Sequence, residues 1–293
     1  MASAALVDVR RIYKTFGRGT PVCRDISFQL DRGEMVALIG ASGSGKSTLI
    51  RTIAGLESID AGHRNGLGTA EPGGIDLFDL PMQRDGRITG TAKKLRVRVG
   101  VIFQQFNLVP RLSVLTNVCL GFLGHMPRRR SLLGLFTTPE RQRAMQALAR
   151  VGMAEHALRR GADLSGGQQQ RAAIARTLVQ GAEVIIADEP IASLDPASAR
   201  RVMDILADLN RQDGITVLVS LHQVDYALAY CPRTIALKDG SIVYDGPSKA
   251  LSPLLLSAIY GDETDEPLPA CPPETARRAA MAADDPPQLV PSA

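Results

Sequence analysis

Residues 40–48 read Gly40-Ala41-Ser42-Gly43-Ser44-Gly45-Lys46-Ser47-Thr48. The order is glycine, four residues, glycine, lysine, serine. Glycines let a backbone turn tightly and aim its amide hydrogens inward, and such amides at a helix N-terminus hold phosphate oxygens. A lysine in that place reaches the terminal phosphates of a nucleoside triphosphate, and the Ser47 hydroxyl suits Mg²⁺. The bland alternative is a plain Gly-Ser turn. A chance match in a chain of this length is on the order of one in a hundred, and here the loop also follows an apolar run and opens a helix.

A second motif, Val184-Ile185-Ile186-Ala187-Asp188-Glu189, is an apolar run ending in two acids. Alone it is weak, because such runs are common. Downstream of a phosphate loop it suits nucleotide hydrolysis, with Asp188 in the Mg²⁺ shell and Glu189 polarising the attacking water. A third motif is Leu164-Ser165-Gly166-Gly167-Gln168, extended by Gln169, Gln170 and Arg171. It reads either as a helix capped by Ser165 or as a second phosphate clamp at a helix N-terminus. One site does not need two such clamps from one chain, so the pair points to a site shared between two chains.

These residues need a frame that presents them together. Residues 6–30 read as two strands around a turn at Gly17-Arg18-Gly19, and Met35 to Ile39 as a buried strand feeding the glycine loop, with a helix from about Lys46. Residues 59–95 are rich in glycine and charge and read as loops and short strands. Residues 97–103 return to an apolar strand. From about 106 to 165 the pattern is helical, as in Glu140 to Val151. Strand character resumes at Val184–Ala187, Ile215–Ser220 and Thr234–Leu237, with helices between, the pattern of a largely parallel sheet with covering helices.

The 293 residues are 45% hydrophobic and 22% charged, ordinary for a globular chain with a sizeable core. A net charge of +4, with Arg128-Arg129-Arg130 its densest run, is too modest to argue for nucleic acid. Aromatics at 4% and no tryptophan argue against a surface that stacks bases or sugars. Cys23, Cys119, Cys231 and Cys271 have no Cys-x-x-Cys spacing, which speaks against zinc or redox chemistry and for reduced thiols in the cytosol. Residues 1–10 lack the apolar stretch of a signal peptide, and no window approaches 18 apolar residues. A membrane role therefore requires a partner. No internal repeat is visible, so one nucleotide module is expected. From about Asp262 proline, alanine and acids dominate, a composition that predicts disorder.

The Leu-Ser-Gly-Gly-Gln string between a phosphate loop and an acidic strand resembles the signature of ABC ATPases, over about residues 5 to 250. The resemblance implies an α/β P-loop fold with a mostly parallel sheet, an antiparallel β subdomain and a helical insertion at about 106–165. It makes residues 1–260 one ATPase domain, followed by the tail 261–293. It also implies further site residues. Phe16 matches the aromatic that stacks on adenine, with nearby Tyr13 as the alternative and a core position as the bland one. Gln104, in Phe103-Gln104-Gln105-Phe106-Asn107-Leu108, matches the glutamine that senses Mg²⁺ and the membrane partner, ambiguous by one position with Gln105. Asp195, in Ser193-Leu194-Asp195-Pro196, matches the loop that crosses the dimer interface, and His222 the histidine at the γ-phosphate.

Within that family, three segments look like phosphonate importers: Asn107 to Val118, Ala187 to Pro196 and Leu221 to Ala227. The stretch Arg128–Phe136 is also similar. The implied assembly is a head-to-tail pair of chains binding ATP and Mg²⁺. It lies on the cytoplasmic face of the inner membrane, against permease subunits served by a periplasmic phosphonate-binding protein, with no nucleic-acid role. The alternatives are phosphite, phosphate or another oxyanion as cargo, or a non-transport ABC protein serving carbon–phosphorus bond cleavage. Two departures from relatives are the long Gly/Pro-rich stretch Gly62–Gly74 and the proline-rich tail.

Overall fold

The structure, a computed structural model, describes residues 5–17, 19–62, 72–105 and 107–261. The chain runs β1 (Val7–Thr15), β2 (Pro21–Leu30), β3 (Met35–Ile39), α1 (Lys46–Ile53), β4 (Gly74–Leu77), β5 (Leu80–Arg84), β6 (Arg87–Ile88), α2 (Ala92–Arg98) and β7 (Val99–Ile102). Helices α3 (Val114–Cys119), α4 (Arg128–Leu133), α5 (Thr138–Arg150) and α6 (Gly166–Val179) follow. The rest is β8 (Val184–Ala187), α7 (Pro196–Asp213), β9 (Thr216–Ser220), α8 (Val224–Tyr230), β10 (Arg233–Lys238), β11 (Ser241–Pro247) and α9 (Pro253–Tyr260).

Two sheets result. One is ordered β11-β10-β3-β9-β8-β7, parallel except for β11, which pairs antiparallel with β10. Every residue of β3, β8 and β9 is buried, which is why these strands read as unbroken apolar runs without alternation. The other, β2-β1-β4-β5-β6, is antiparallel throughout. Its inward residues Val7, Val9, Ile12, Ile26, Leu30, Ile75, Leu77 and Met82 share one core with Leu49, Ile50 and Ile53 of α1 and Val36 and Leu38 of β3. The helix at the end of the glycine loop is thus fixed from both sides. Each aliphatic side chain so buried contributes about 1.5–3 kcal/mol before the cost of ordering the chain.

The expected α/β architecture with an antiparallel sheet and a helical stretch is present, with three differences in detail. Residues 92–98 form α2, a seven-residue helix that buries only Ala92 and Leu95, too little apolar face to show as a period. The strand after it starts at Val99. Ser241–Pro247 forms an edge strand with no buried residue, which hydrophobic patterning does not reveal. The helical stretch is broken into pieces, with chain breakers at Pro127, at Gly134 (φ +61°) and at Gly152 (φ +65°).

Through Leu251 the chain forms one compact unit. A second begins at Ser252, and its described part is α9, whose first turn is capped by Ser252 Oγ accepting from Leu255 N at 3.2 Å. Arg18, Phe106, residues 63–71 of the Gly/Pro-rich stretch and the tail from 262 lie outside the described residues. Among the described residues no helix is long and apolar enough to cross a membrane. Cys23, Cys119 and Cys231 are buried and unbonded, and burial pushes their thiols up to about 12, 11 and 12, the behaviour of small hydrophobes.

Candidate active site

The C-terminal ends of β3, β8 and β9, neighbours in the parallel sheet, converge on one cluster, where ligands bind in open α/β sheets. From β3 the chain enters the glycine loop. At Gly40 (φ +149°) a Cβ would lie 2.3 Å from the Leu237 carbonyl oxygen, and at Gly45 (φ +102°) one would lie 2.5 Å from that of Val22. Neither position accepts a side chain. Gly43 (φ +78°) faces open space, so conformation alone favours glycine there.

Gly45 is the N-cap of α1 and offers no side chain to its amides, and no acid lies in the first turn, which holds Lys46, Ser47 and Thr48. The positive helix end is left for an external anion. Ser44 Oγ is buried without a hydrogen-bond partner among the described residues, an orphaned polar atom inside the cradle. Lys46 is buried too. Its Nζ donates to the carbonyls of Gly40 at 2.8 Å and Ala41 at 3.1 Å. Burial lowers its pKa, while the negative charges of Glu189 and Asp188 oppose that shift. An orphaned hydroxyl, an uncapped helix end and a lysine folded back on the loop fit a bound phosphate chain.

Asp188, at the end of β8, is buried. Its Oδ1 accepts from Ser47 Oγ at 3.0 Å and from Ser220 Oγ at 3.0 Å. Carboxylate and hydroxyl oxygens are the donors Mg²⁺ takes when phosphates and water complete its shell. Glu189 sits at φ +50°, a conformation that costs a non-glycine residue on the order of 1 kcal/mol or more, and its N–H donates to Ser220 Oγ at 2.8 Å. Its Oε1 accepts from His222 Nε2 at 2.5 Å. Ser220 ties the two acids together, yet in sequence it is only a hydroxyl closing an apolar strand. That polar end is its only trace in the sequence, and by itself it assigns no role.

The signature residues form a second group. Ser165 caps α6, with Ser165 Oγ accepting from Gln168 N and Gln168 Oε1 accepting from Ser165 N at 3.0 Å, a reciprocal box. Gly166 opens the helix. At Gly167 a Cβ would come within 2.7 Å of Ser198 in α7, so close helix packing excludes a side chain. Both readings of this motif thus stay in force: the cap is real, and exposed Ser165 leaves a helix end facing outward. Arg171 reaches back to the carbonyls of Val151 and Gly152 at 3.1 and 2.9 Å, fastening α6 to the end of α5.

Among the described residues no hydrogen bond joins Gln104, Asp195 or Phe16 to the acidic cluster. Gln104 and Gln105 are both exposed and border, with Asn107, Leu108, Gln169 and Ser193, a cavity of about 560 Å³, so its lining does not choose between them. Asp195 is the N-cap of α7, accepting from Ala197 N at 3.1 Å and Ser198 N at 3.0 Å, and the Ser198 side chain, together with the amides of Ser198 and Ala197, holds its carboxyl below the usual range. Phe16 is 50% exposed just beyond β1, with Lys14 Nζ 5.0 Å from its ring centre, so it is not a core residue. Tyr13 is half-buried.

One organiser escaped the sequence reading. Asn117 is fully buried on α3. It accepts from Val109 N at 2.7 Å and donates to the carbonyls of Val109, Leu112 and Ser113, holding the loop that follows Gln104. Asn117→Ala should lose about 2 kcal/mol in denaturant unfolding, the order expected for stranding several paired groups. A loss within experimental error would show that the loop's other bonds hold it.

Three comparisons bear on this arrangement. The family model described as ABC transporter matches residues 23–192. Phosphonates import ATP-binding protein PhnC 1 of Pseudomonas aeruginosa is 57% identical over 265 residues, 90% of this chain and 92% of that protein. The protein of that name from Stutzerimonas stutzeri is 58% identical over 261 residues, 89% and 91% of the two chains. Among solved structures, the ATP-binding cassette MJ0796 in a dimeric post-hydrolysis state, bound to ADP and Pi, superposes with a TM-score of 0.69. It is 30% identical and covers 84% of this chain and 100% of that one.

Proposed function

This chain belongs to the ABC transporter family, and from that premise we propose that it is the ATP-hydrolysing subunit of an import complex whose cargo is a phosphonate. The observation that carries the ATPase reading is the bonded cluster of Ser47, Asp188, Ser220, Glu189 and His222 beside a phosphate loop with an orphaned hydroxyl. The cargo reading rests on the 57–58% identity to phosphonates import ATP-binding proteins.

In this reading the amides of residues 40–48 hold the phosphate chain, and Lys46 turns from the carbonyls of Gly40 and Ala41 to the β and γ phosphates. Phe16 stacks on the adenine. When bound, Mg²⁺ neutralises phosphate charge, and Ser47, Asp188 and Gln104 are the oxygen donors that would hold it. Glu189 accepts a hydrogen bond from a water whose oxygen attacks the γ-phosphorus, and takes up the proton that this water sheds. The bond to the bridging oxygen breaks, giving ADP and phosphate. His222 keeps the Glu189 carboxylate aimed and faces the γ-phosphate. Positioning and charge stabilisation do most of the catalysis.

Ser165, Gly166, Gly167, Gln168 and Asp195 would act on the nucleotide of a second copy, placed head to tail. Closing and opening of that pair would drive permease subunits at the cytoplasmic face of the inner membrane, fed by a periplasmic phosphonate-binding protein. Lys46→Ala should lower ATP turnover of the purified chain at least a hundredfold, because the phosphates lose their one buried cation in the loop. Near-normal turnover in the folded variant would remove the phosphate-loop assignment. In the reconstituted complex an alkylphosphonate should stimulate turnover where phosphate and phosphite do not; equal stimulation by either would remove the cargo assignment.

A further inference from the structure

Lys14, near the end of β1, is buried, with 8% of its surface exposed. A lysine is seldom buried unless its ammonium is paired, since a methionine of similar length fills the same space without the cost of desolvation. The ammonium meets three groups among the described residues. It donates to the Ser58 carbonyl at 2.7 Å, lies 3.7 Å from Glu57 Oε2, and sits over the Phe16 ring, 5.0 Å from its centre. A cation in that place is held by the negative face of the ring. Phe16 remains 50% exposed with one face so covered, which leaves the opposite face for a ligand.

The anchor of this lysine is itself fastened. Ser58 lies in the loop that follows α1. Gln83, fully buried on β5, donates to the carbonyls of Thr52 at 2.6 Å and Glu57 at 2.7 Å and accepts from Ile59 N at 3.0 Å. Leu56 N donates to the Arg51 carbonyl at 2.8 Å, closing the loop onto the helix. The phosphate loop stands at the other end of that helix, and the Val22 carbonyl, just past the turn that holds Phe16, lies against its Gly45. The ring and the phosphate loop are thus tied to one helix, the loop directly and Phe16 through Lys14.

We propose that Lys14 positions Phe16 for the nucleotide base and sets a preference for purines over pyrimidines. This rests on the reading above in which Phe16 stacks on the adenine. Two effects act together. An ammonium pinned to Ser58 holds one face of the ring, so Phe16 gives up little freedom when a base arrives. The same cation draws π density toward itself, so the open face repels an electron-rich ring less. Adenine, with the larger and more electron-rich surface, gains more from this than a pyrimidine does. The plain alternative is a pin, in which Lys14 fastens β1 to the loop after α1 and does nothing for the base. A pin accounts for the Ser58 bond. It leaves unexplained why the same ammonium is set over a ring that stands half exposed.

The test uses the full chain and compares binding of Mg-ATP, Mg-CTP and inorganic tripolyphosphate, which has the phosphates without a base. Lys14→Met keeps the length of the stem and removes the charge, and Lys14→Gln also keeps a donor toward Ser58. Each should weaken ATP binding about fivefold, the scale of one cation–π contact, and narrow the preference for ATP over CTP by a like factor. Tripolyphosphate binding and turnover at saturating ATP should stay within about twofold of wild type, because no phosphate contact is touched. Lys14→Arg, whose guanidinium also lies on aromatic faces, should restore most of the loss. In a Phe16→Ala background Lys14→Met should weaken ATP no further, since the two residues act as one unit. Wild-type ATP binding in the folded Lys14 variants would overturn the proposal. Equal weakening of tripolyphosphate, a Lys14→Met effect that persists without the Phe16 ring, or failure of both uncharged variants to fold would make Lys14 a pin and overturn it too. If Phe16→Ala alone binds ATP as wild type does, the stacking reading of Phe16 is what fails.

Discussion

Glu189→Gln should bind ATP as wild type does and hydrolyse it at least a hundredfold more slowly, the scale of removing a general base. The amide matches the carboxylate in size, so the site should not collapse. Gln Oε1 still accepts from His222 Nε2, and the backbone N–H still donates to Ser220 Oγ, so the strained φ of +50° is held by the same bond. What goes is the negative charge, and with it the pull on a proton of the attacking water. Binding relies on other groups: the loop amides, Lys46, and the oxygens of Ser47 and Asp188. The variant should therefore accumulate with ATP uncleaved between two chains, seen as a dimer by light scattering with Mg-ATP and absent with ADP. Fast single-turnover hydrolysis, or a chain that stays monomeric with ATP, would take Glu189 out of that role.

How much of this was readable from residue types depends on the kind of information each feature carries. The glycine loop was readable because its constraints are local: Gly40 and Gly45 each sit where a Cβ would strike a carbonyl, and chain geometry over a few residues imposes that pattern. Strands β3, β8 and β9 were readable because burial on both faces leaves only apolar residues along them. Ser220 was not, since its importance arises from pairing β9 beside β8, a contact between residues 32 positions apart. Asn117 was hidden for a similar reason: its work is to hold a loop's backbone, which leaves no trace in hydrophobic period. Helix α2 and edge strand β11 bury too little for patterning to register them. The choice between Gln104 and Gln105 stays open in the structure too, because both border one cavity.

The signature is a different case, because each of its residues already has a local occupation. Ser165 and Gln168 cap each other, and Gly167 makes room for Ser198. Capping explains the serine and the glutamine, and packing explains Gly167, without any phosphate. A phosphate role therefore cannot be read from the motif's presence, and a test at Gly167 is confounded: an aspartate there would drive its Cβ into α7 and damage the fold along with the site. Ser165 gives a cleaner probe. Aspartate is as good an N-cap as serine, so Ser165→Asp keeps the bond to Gln168 N and suits the positive helix end. It also places a carboxylate at the point where a γ-phosphate of a second chain would arrive.

That substitution allows a decisive experiment, carried out in a Glu189→Gln background so that bound ATP persists. Lys46→Ala removes the grip of a chain's own phosphate loop, and Ser165→Asp repels phosphate at its own signature. Alone, neither should occlude ATP, because any pair of like chains has both sites spoiled. Mixed in equal amounts, they form roughly half mixed dimers if pairing is unbiased. In a head-to-tail pair, one site of each mixed dimer carries both lesions. The other joins the intact loop of the Ser165→Asp chain to the intact signature of the Lys46→Ala chain. Occlusion should then return to about a quarter of the level without either lesion, one site of two in half of the dimers. If instead each site is built from a single chain, every site carries a lesion in every combination, and mixing restores nothing. Mixed dimers shown to form by tag exchange, yet holding no ATP, would defeat the shared site and leave the Ser165 end of α6 as a helix cap alone.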